Sequence, residues 1–349
     1  MKIIIATVHI PFIFGGAEVL AKTLSEACKK RGHEVEIVGI PFKAYPAARI
    51  LDHMMACRLF DLTEVAEMKV DRLIGLKFPA YLIPHPHKSF WILHQHRSAY
   101  DLWDKAESDL LHAHDGNQIR SAIINADNHI FTESPQSIYT ISKNVSQRLQ
   151  KYNGVSSNAL YPPPQNAELF YTREEQGYLF FPSRINYYKR QELVLRSIPL
   201  TKHPVQVIFG GRPDQQSYGE ELFELVRNLG IENRVKFIGE MTEEQKLKLY
   251  AESIGIVYPP LDEDYGYVTL EAMLASKPVI TCSDSGGPLE FIKHRENGLI
   301  ADPTPKSLAA AMDELWENRE ASRKLGSYGR EIFQNSNINW DSVLTYLLK

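Results

Sequence analysis

The sequence predicts an α/β protein made of two Rossmann-like domains, and three observations predict it. The chain has 349 residues, enough for two domains of about 100–200 residues each. Apolar strand-like runs alternate with helical stretches from Lys2 onward and again, more regularly, from Tyr178 to Ala301. Such alternation implies mostly parallel sheets covered by helices, with ligands bound beyond the carboxyl ends of the strands. Between the two regions lies Leu160-Tyr-Pro-Pro-Pro-Gln-Asn166, whose consecutive prolines can continue neither strand nor helix. It reads as the interdomain linker.

The elements follow in order. Residues 2–8 read as a first strand, since Ile3, Ile4 and Ile5 are β-branched and suit a strand buried on both faces. The glycines Gly15 and Gly16 follow in a loop. A helix then runs from about Ala17 to Lys30, with Leu20, Leu24, Ala27 and Cys28 at helical spacing. Gly32 ends it and Val35–Ile40 resumes a strand, which completes one βαβ unit. Ile50, Leu51, Met54, Met55, Leu59 and Leu62 mark an amphipathic helix. Its only basic anchors, Arg49 and Arg58, stand among Asp52 and Asp61, so packing on the first sheet is favoured over membrane contact. Arg72–Leu76, Phe90–Leu93 and His129–Thr132 read as further strands.

Beyond the linker, strands are expected at 178–182, 205–209, 235–238, 254–258, 278–282 and 298–301, separated by helices. Thr242 with Gln245 forms a capping-box pattern before one of these. Trp340 opens a terminal amphipathic helix. The expected domains are 1–165 and 166–330, with 331–349 crossing back onto the first.

Composition narrows the function. Hydrophobic residues make up 44% and charged residues 23%, as in ordinary globular proteins, and a net charge of −4 argues against nucleic acid as the main partner. Three scattered cysteines, Cys28, Cys57 and Cys282, form no C-x-x-C pair. A disulfide framework is therefore not expected, and a reducing cytoplasm fits. The apolar N-terminus lacks a small-residue cleavage site, so it reads as a strand and not a signal peptide. No uninterrupted run of ~18 or more apolar residues occurs, so no membrane span is expected.

The most informative stretch is Glu263-Asp-Tyr-Gly-Tyr-Val-Thr-Leu-Glu271-Ala-Met. It follows a strand, and a helix begins near Gly266. The unpaired N–H groups at that helix start carry the positive end of its dipole and suit a phosphate. Glu263 lies before the helix and Glu271 more than a turn inside it. Two carboxylates so placed can accept hydrogen bonds from two sets of hydroxyls, such as a sugar and a ribose. On spacing alone, an acidic first turn serving only its own helix dipole explains them equally well.

Here a resemblance enters. The paired glutamates, with Gly-x-x-x-x-Glu-Ala-Met, resemble the signature of the retaining GT-B glycosyltransferases of family 4. Gly15-Gly16-Ala-Glu resembles that family's first glycine loop, and Ser183-Arg184-Ile-Asn-x-x-Lys189-Arg its diphosphate-binding segment. Lys277-Pro-Val-Ile, Ser285-Gly-Gly-Pro-x-Glu-Phe and Asn297-Gly-Leu follow in the family's order. The likeness is nearly continuous over the C-terminal half and scattered over the N-terminal half.

The resemblance implies a GT-B fold with a cleft between the domains. It implies that Arg184 and Lys189 hold the diphosphate, and that backbone amides of Tyr265, Gly266, Tyr267 and Val268 contact donor sugar and phosphate. Glu263 would bind the sugar hydroxyls and Glu271 the ribose. Gly15 and Gly16 would let backbone come close to the donor phosphate, unless they serve only as a turn. A histidine ending an N-terminal-domain strand would touch the donor sugar, and His94 is preferred over His96. The residue before Gly266 is commonly Phe in the family and is Tyr265 here, a mild departure because the contact is made by backbone. The implied reaction moves a sugar from a nucleoside diphosphate sugar to a hydroxyl of a glycan or lipid-linked acceptor, with retention. The implied setting is the cytoplasm, with peripheral contact at the inner face of a membrane.

Two other readings stand beside this one. Asp262-Glu-Asp264 spells the Asp-x-Asp of metal-dependent transferases, but its place before a helix in the second half favours the paired-glutamate reading, so no metal cofactor is expected. The pairs His85/His87, His94/His96 and His112/His114 could each ligate a metal, as in a metal-dependent hydrolase, although that would need further carboxylate ligands in register. A non-catalytic sugar-nucleotide-binding protein is the third alternative.

Overall fold

The computed structural model describes residues 1–12, 15–105, 108–133 and 138–349. The chain divides into two compact units, Met1–Gln165 with Ile338–Lys349, and Asn166–Asn337.

The first unit runs β1 (Lys2–His9), α1 (Gly16–Lys30), β2 (Glu34–Pro41), α2 (Arg49–Leu59), a small hairpin of β3 (Glu64–Val65) and β4 (Met68–Lys69), β5 (Arg72–Lys77), β6 (Lys88–His94), α3 (Gly116–Glu133), β7 (Ile138–Thr140), α4 (Lys143–Asn153) and β8 (Asn158–Ala159). Its main sheet is parallel, in the order β2-β1-β5-β6-β7-β8. Ile3, Ile5, Leu73, Ile74, Phe90 and Trp91 fill its core. Burial of each such side chain contributes about 1.5–3 kcal/mol. Gly32, at φ +81, stops α1 in the left-handed conformation that costs glycine least.

The second unit runs β9 (Leu179–Pro182), α5 (Gln191–Ser197), β10 (Val207–Gly210), α6 (Gln216–Leu229), β11 (Val235–Phe237), α7 (Glu243–Glu252), β12 (Gly255–Val257), α8 (Tyr267–Leu274), β13 (Val279–Cys282), β14 (Gly298–Ala301), α9 (Pro305–Glu317) and α10 (Arg319–Gln334). Its sheet is also parallel, in the order β11-β10-β9-β12-β13-β14. The capping box at α7 is formed: the Gln245 N–H donates to Thr242 Oγ1 at 3.2 Å, and Gln245 Oε1 accepts from the Thr242 N–H at 3.0 Å. The last helix, α11 (Trp340–Leu347), returns to the first unit. There the Trp340 ring meets Trp91 edge to face with centroids 6.2 Å apart, and Arg72 and Ser89 donate to the Leu347 carbonyl at 3.3 and 2.8 Å.

Three expectations need correction. His129–Thr132 is no strand but the end of α3, in which Ile119, Ile123, Asp127 and Phe131 are buried at steps of four. The local run His-Ile-Phe-Thr favours a strand, but burial along one helix face overrides it. The returning segment begins at Ile338 and not at 331, because α10 continues to Gln334 within the second unit. In α2 only Ile50, Met54 and Cys57 are buried; Leu51, Met55 and Leu59 face solvent, and Leu62 lies beyond the helix. Among the described residues no helix is long and apolar enough to cross a membrane.

Candidate functional site

In the second unit the chain builds β9, β10 and β11 outward in one direction, then returns to lay β12, β13 and β14 on the other side of β9. The switch point falls between β9 and β12, where a doubly wound sheet opens a crevice at its carboxyl edge. The loop after β9 carries Arg184 and Lys189; the loop after β12 carries Glu263. Topology thus brings together residues that the sequence keeps far apart.

At this point Lys189 Nζ forms an ion pair with Glu263 Oε2 and donates to the Tyr258 hydroxyl at 3.0 Å. The Lys189 and Glu263 side chains are 17% and 21% exposed, so the pair is sheltered yet reachable. Burial alone would lower the Lys189 pKa; Glu263 and Tyr258 outweigh it and the net direction is up. Lys189 is therefore a fixed cation throughout the neutral range. Burial, with the Glu263 charge beside it, pushes the Tyr258 phenol up, so it stays protonated.

Glu263 is laced by its backbone onto the turn after β13. Its N–H donates to the Ser285 carbonyl at 2.9 Å, and its carbonyl accepts from the Gly287 N–H at 2.8 Å. A side chain at Gly287 would begin 2.6 Å from the Tyr265 carbonyl oxygen, so that close approach requires glycine. Gly266, at φ +82, supplies the left-handed step into α8 and leaves the helix start with no capping side chain. The Tyr265 ring is buried against Tyr267 and Phe291, with centroids at 5.0 and 5.5 Å. The stretch from Tyr265 to Val268 thus surrounds an uncapped helix start with the positive end of its dipole, suited to an anion.

Arg184 and Glu271 have partners of their own. The Arg184 guanidinium, 47% exposed, donates to Asp214 at 3.0 Å, and Asn186 donates to the other Asp214 oxygen at 2.9 Å. Glu271 accepts from Lys246 Nζ at 3.1 Å and from the Tyr250 hydroxyl at 2.7 Å. Each carboxylate oxygen has several acceptor positions, so both can take further donors.

In the first unit, Gly15 is the N-cap of α1, and its N–H donates to Glu18 at 2.9 Å. No described atom lies within 4 Å of where a Gly16 side chain would begin, so the described fold does not itself demand glycine there. His94 ends β6, half-buried, with Nδ1 2.6 Å from the Gln95 carbonyl; in the neutral ring this assigns the hydrogen to Nδ1. His96 packs against Phe42 and Phe78, with centroids at 6.2 and 5.4 Å. His85 Nδ1 accepts from the His87 N–H at 3.0 Å, and His114 lies 2.7 Å from Asp115 at the surface. Among the described residues no three His, Cys, Asp or Glu side chains cluster to hold a metal ion.

Five residues escaped sequence reasoning: Tyr258, Arg190 with Asp284, and Lys246 with Tyr250. Lys246 and Tyr250 stand four apart on α7, the spacing that lets two side chains reach one carboxylate. That was the available signal.

Residues 169–332 match the family model described as glycosyl transferases group 1. An uncharacterized glycosyltransferase of Methanocaldococcus jannaschii is 23% identical over 98% of this chain and 96% of its own. An alpha-1,3/1,6-mannosyltransferase of Dictyostelium discoideum is 33% identical over 37% of this chain and 32% of its own. Anabaena HepE, solved in complex with UDP-glucose, superposes with a TM-score of 0.73 at 17% identity, covering all of this chain and 98% of HepE. With two parallel-sheet units and these matches in agreement, the chain has the GT-B fold, and its second unit is similar to the group 1 glycosyltransferases.

Proposed function

We propose that the chain transfers a sugar from a nucleoside diphosphate sugar to a hydroxyl of a glycan or lipid-linked glycan, with retention at the anomeric carbon. The observation that carries this reading is the Lys189–Glu263 contact at the switch point, beside the uncapped start of α8. It sets a fixed cation and helix amides where a diphosphate could lie, and a carboxylate where sugar hydroxyls could lie. The HepE complex with UDP-glucose supports a nucleotide sugar as donor.

In this reading Lys189 and Arg184 stabilise the departing nucleoside diphosphate, whose negative charge grows as the glycosidic bond breaks. Fixed cations then favour the transition state over the ground state. Glu263 holds the sugar, Glu271 the ribose, and the amides from Tyr265 to Val268 the phosphate. Gly15, Gly16 and His94 contact the donor from the first unit. The reaction requires no metal. The acceptor proton passes to the leaving phosphate oxygen on the same face.

The buried free thiols Cys28, Cys57 and Cys282 support a cytoplasmic setting. The outward Leu51, Met55 and Leu59 of α2 are the surface we assign to peripheral contact at the inner face of a membrane.

Thermal melting against UDP-, GDP- and ADP-sugars tests the reading, since a ligand bound only by the folded state raises the melting temperature. Proton NMR of the product then reports the anomeric configuration. No shift with any of them, or an inverted product, overturns it.

A further inference from the structure

Two of the chain's left-handed residues flank the central pair. Arg190, at φ +59, directly follows Lys189, and Asp262, at φ +44, directly precedes Glu263. Neither is glycine, and a side chain in that region is held there only when the surroundings over-determine it. Both are held by one residue. The Asp284 carboxylate accepts two parallel bonds from the Arg190 guanidinium, each 2.7 Å. The Asp284 carbonyl accepts from the Asp262 N–H at 2.9 Å.

We infer that Asp284 is a positioning residue for the Lys189–Glu263 pair, pinning the turn after Lys189 with its carboxylate and the turn before Glu263 with its carbonyl. The inference rests on the donor-site reading given above. Asp284 acts on the pair through Arg190 and Asp262. Neighbouring contacts reinforce the clamp, because the Leu261 N–H donates to the Tyr188 carbonyl at 2.7 Å and Ser285 takes the Glu263 N–H. Thus the loops after β9, β12 and β13 meet on one short segment.

An exposed ion pair is ordinarily a weak feature. This one differs in being bidentate, with side chains 20% and 36% exposed, and in holding a backbone that would otherwise relax. Relaxation at Arg190 would swing Lys189 on the adjoining residue. Misplacing a reacting group by about 1 Å can cost ~100-fold in rate.

Arg190→Gly separates positioning from stability. Glycine accepts the left-handed turn without strain but carries no guanidinium. The melting temperature should stay level or rise, while kcat falls about 10-fold or more and donor KM changes by less than about 3-fold. Asp284→Asn, which keeps the carbonyl and loses one charge-assisted bond, should show a smaller loss of kcat. The exchanged pair Arg190→Asp with Asp284→Arg should recover part of it. Amide hydrogen exchange of the 258–266 segment should quicken in Arg190→Gly.

Unchanged exchange in that segment, or turnover losses that merely track melting temperature across the set, overturns the positioning role. A wild-type protein that binds none of UDP, GDP and ADP in calorimetric titration overturns the donor-site reading instead.

Discussion

Lys189 and Glu263 stand 74 positions apart in the chain and neutralise one another at the carboxyl edge of a parallel sheet, with the Tyr258 hydroxyl 3.0 Å from the same ammonium. A diphosphate arriving at Lys189 must share or displace that carboxylate. A sugar arriving with it offers hydroxyls to the carboxylate so released. On the proposed donor reading, each half of the donor prepares the site for the other.

Substitutions of the two residues should accordingly act in opposite directions on a bare nucleoside diphosphate. Lys189→Ala should weaken UDP or GDP binding, and Glu263→Gln should leave it level or tighter, because a competing anion is gone. Transfer should fall ~100-fold or more in Lys189→Ala and in Glu263→Ala, since both contacts strengthen as charge develops. Arg184→Ala should also lose ~100-fold in catalytic efficiency, and Lys should not substitute for its planar fork. Calorimetry and steady-state kinetics decide; parallel losses of diphosphate affinity in Lys189→Ala and Glu263→Gln would contradict the competition.

Glu271 is expected to serve binding more than chemistry. Glu271→Ala should raise donor KM with little change in kcat, as loss of a contact equally strong in ground and transition states does. Lys246 and Tyr250 orient this carboxylate, so Lys246→Met combined with Glu271→Ala should cost less than the sum of the two. Additive losses would mean that Lys246 acts elsewhere.

Activity should persist in excess EDTA. Lys189, Arg184 and the start of α8 together can balance the charge of a diphosphate without a divalent ion. Complete loss on chelation, restored by magnesium or manganese, would return attention to Asp262 and Asp264.

Asp127 offers a test of stability away from the proposed chemistry. It is fully buried, and accepts from the Tyr81 and Tyr100 hydroxyls at 2.9 and 2.7 Å. Burial raises its carboxyl from 3.8 to about 7, against the opposing pull of those hydroxyls and of Gln95. The folded chain then holds a proton that the unfolded chain has released. The residue's contribution to stability is full below the unfolded value and is lost as pH rises towards about 7. Relative to wild type, Asp127→Asn should therefore gain stability between about pH 4 and pH 7 and level off above. Denaturant melts at several pH values measure the difference, and a flat difference would refute it.

The second unit was legible in sequence because its short buried strands alternate regularly with helices. Leu179-Phe-Phe, Gly255-Ile-Val and Val279-Ile-Thr are short apolar runs with helices between them. His129–Thr132 misled because three residues of high strand propensity, Ile130, Phe131 and Thr132, lie near the end of a helix whose periodicity is plain only over its whole length. Glu263, Lys189 and Glu271 were legible as types in a motif. Their partners were not: Tyr258, Arg190 and Asp284 come together through the order in which strands lie side by side, which no local spacing spells out. Lys246 lay within reach, one helical turn from a tyrosine and just after a capping box already recognised.

The return of α11 to the first sheet has a consequence for how the polypeptide is made. The second unit is one continuous stretch, Asn166–Asn337, and can close as soon as it emerges from the ribosome. The first unit, although synthesised earlier, lacks the partner of Trp91 and the carbonyl that Arg72 and Ser89 bind until Ile338–Lys349 has been translated. Domains commonly mature in the order of their synthesis. Here the half begun first is the last to be completed, and a released chain truncated before Ile338 should carry a finished second unit and an unfinished first.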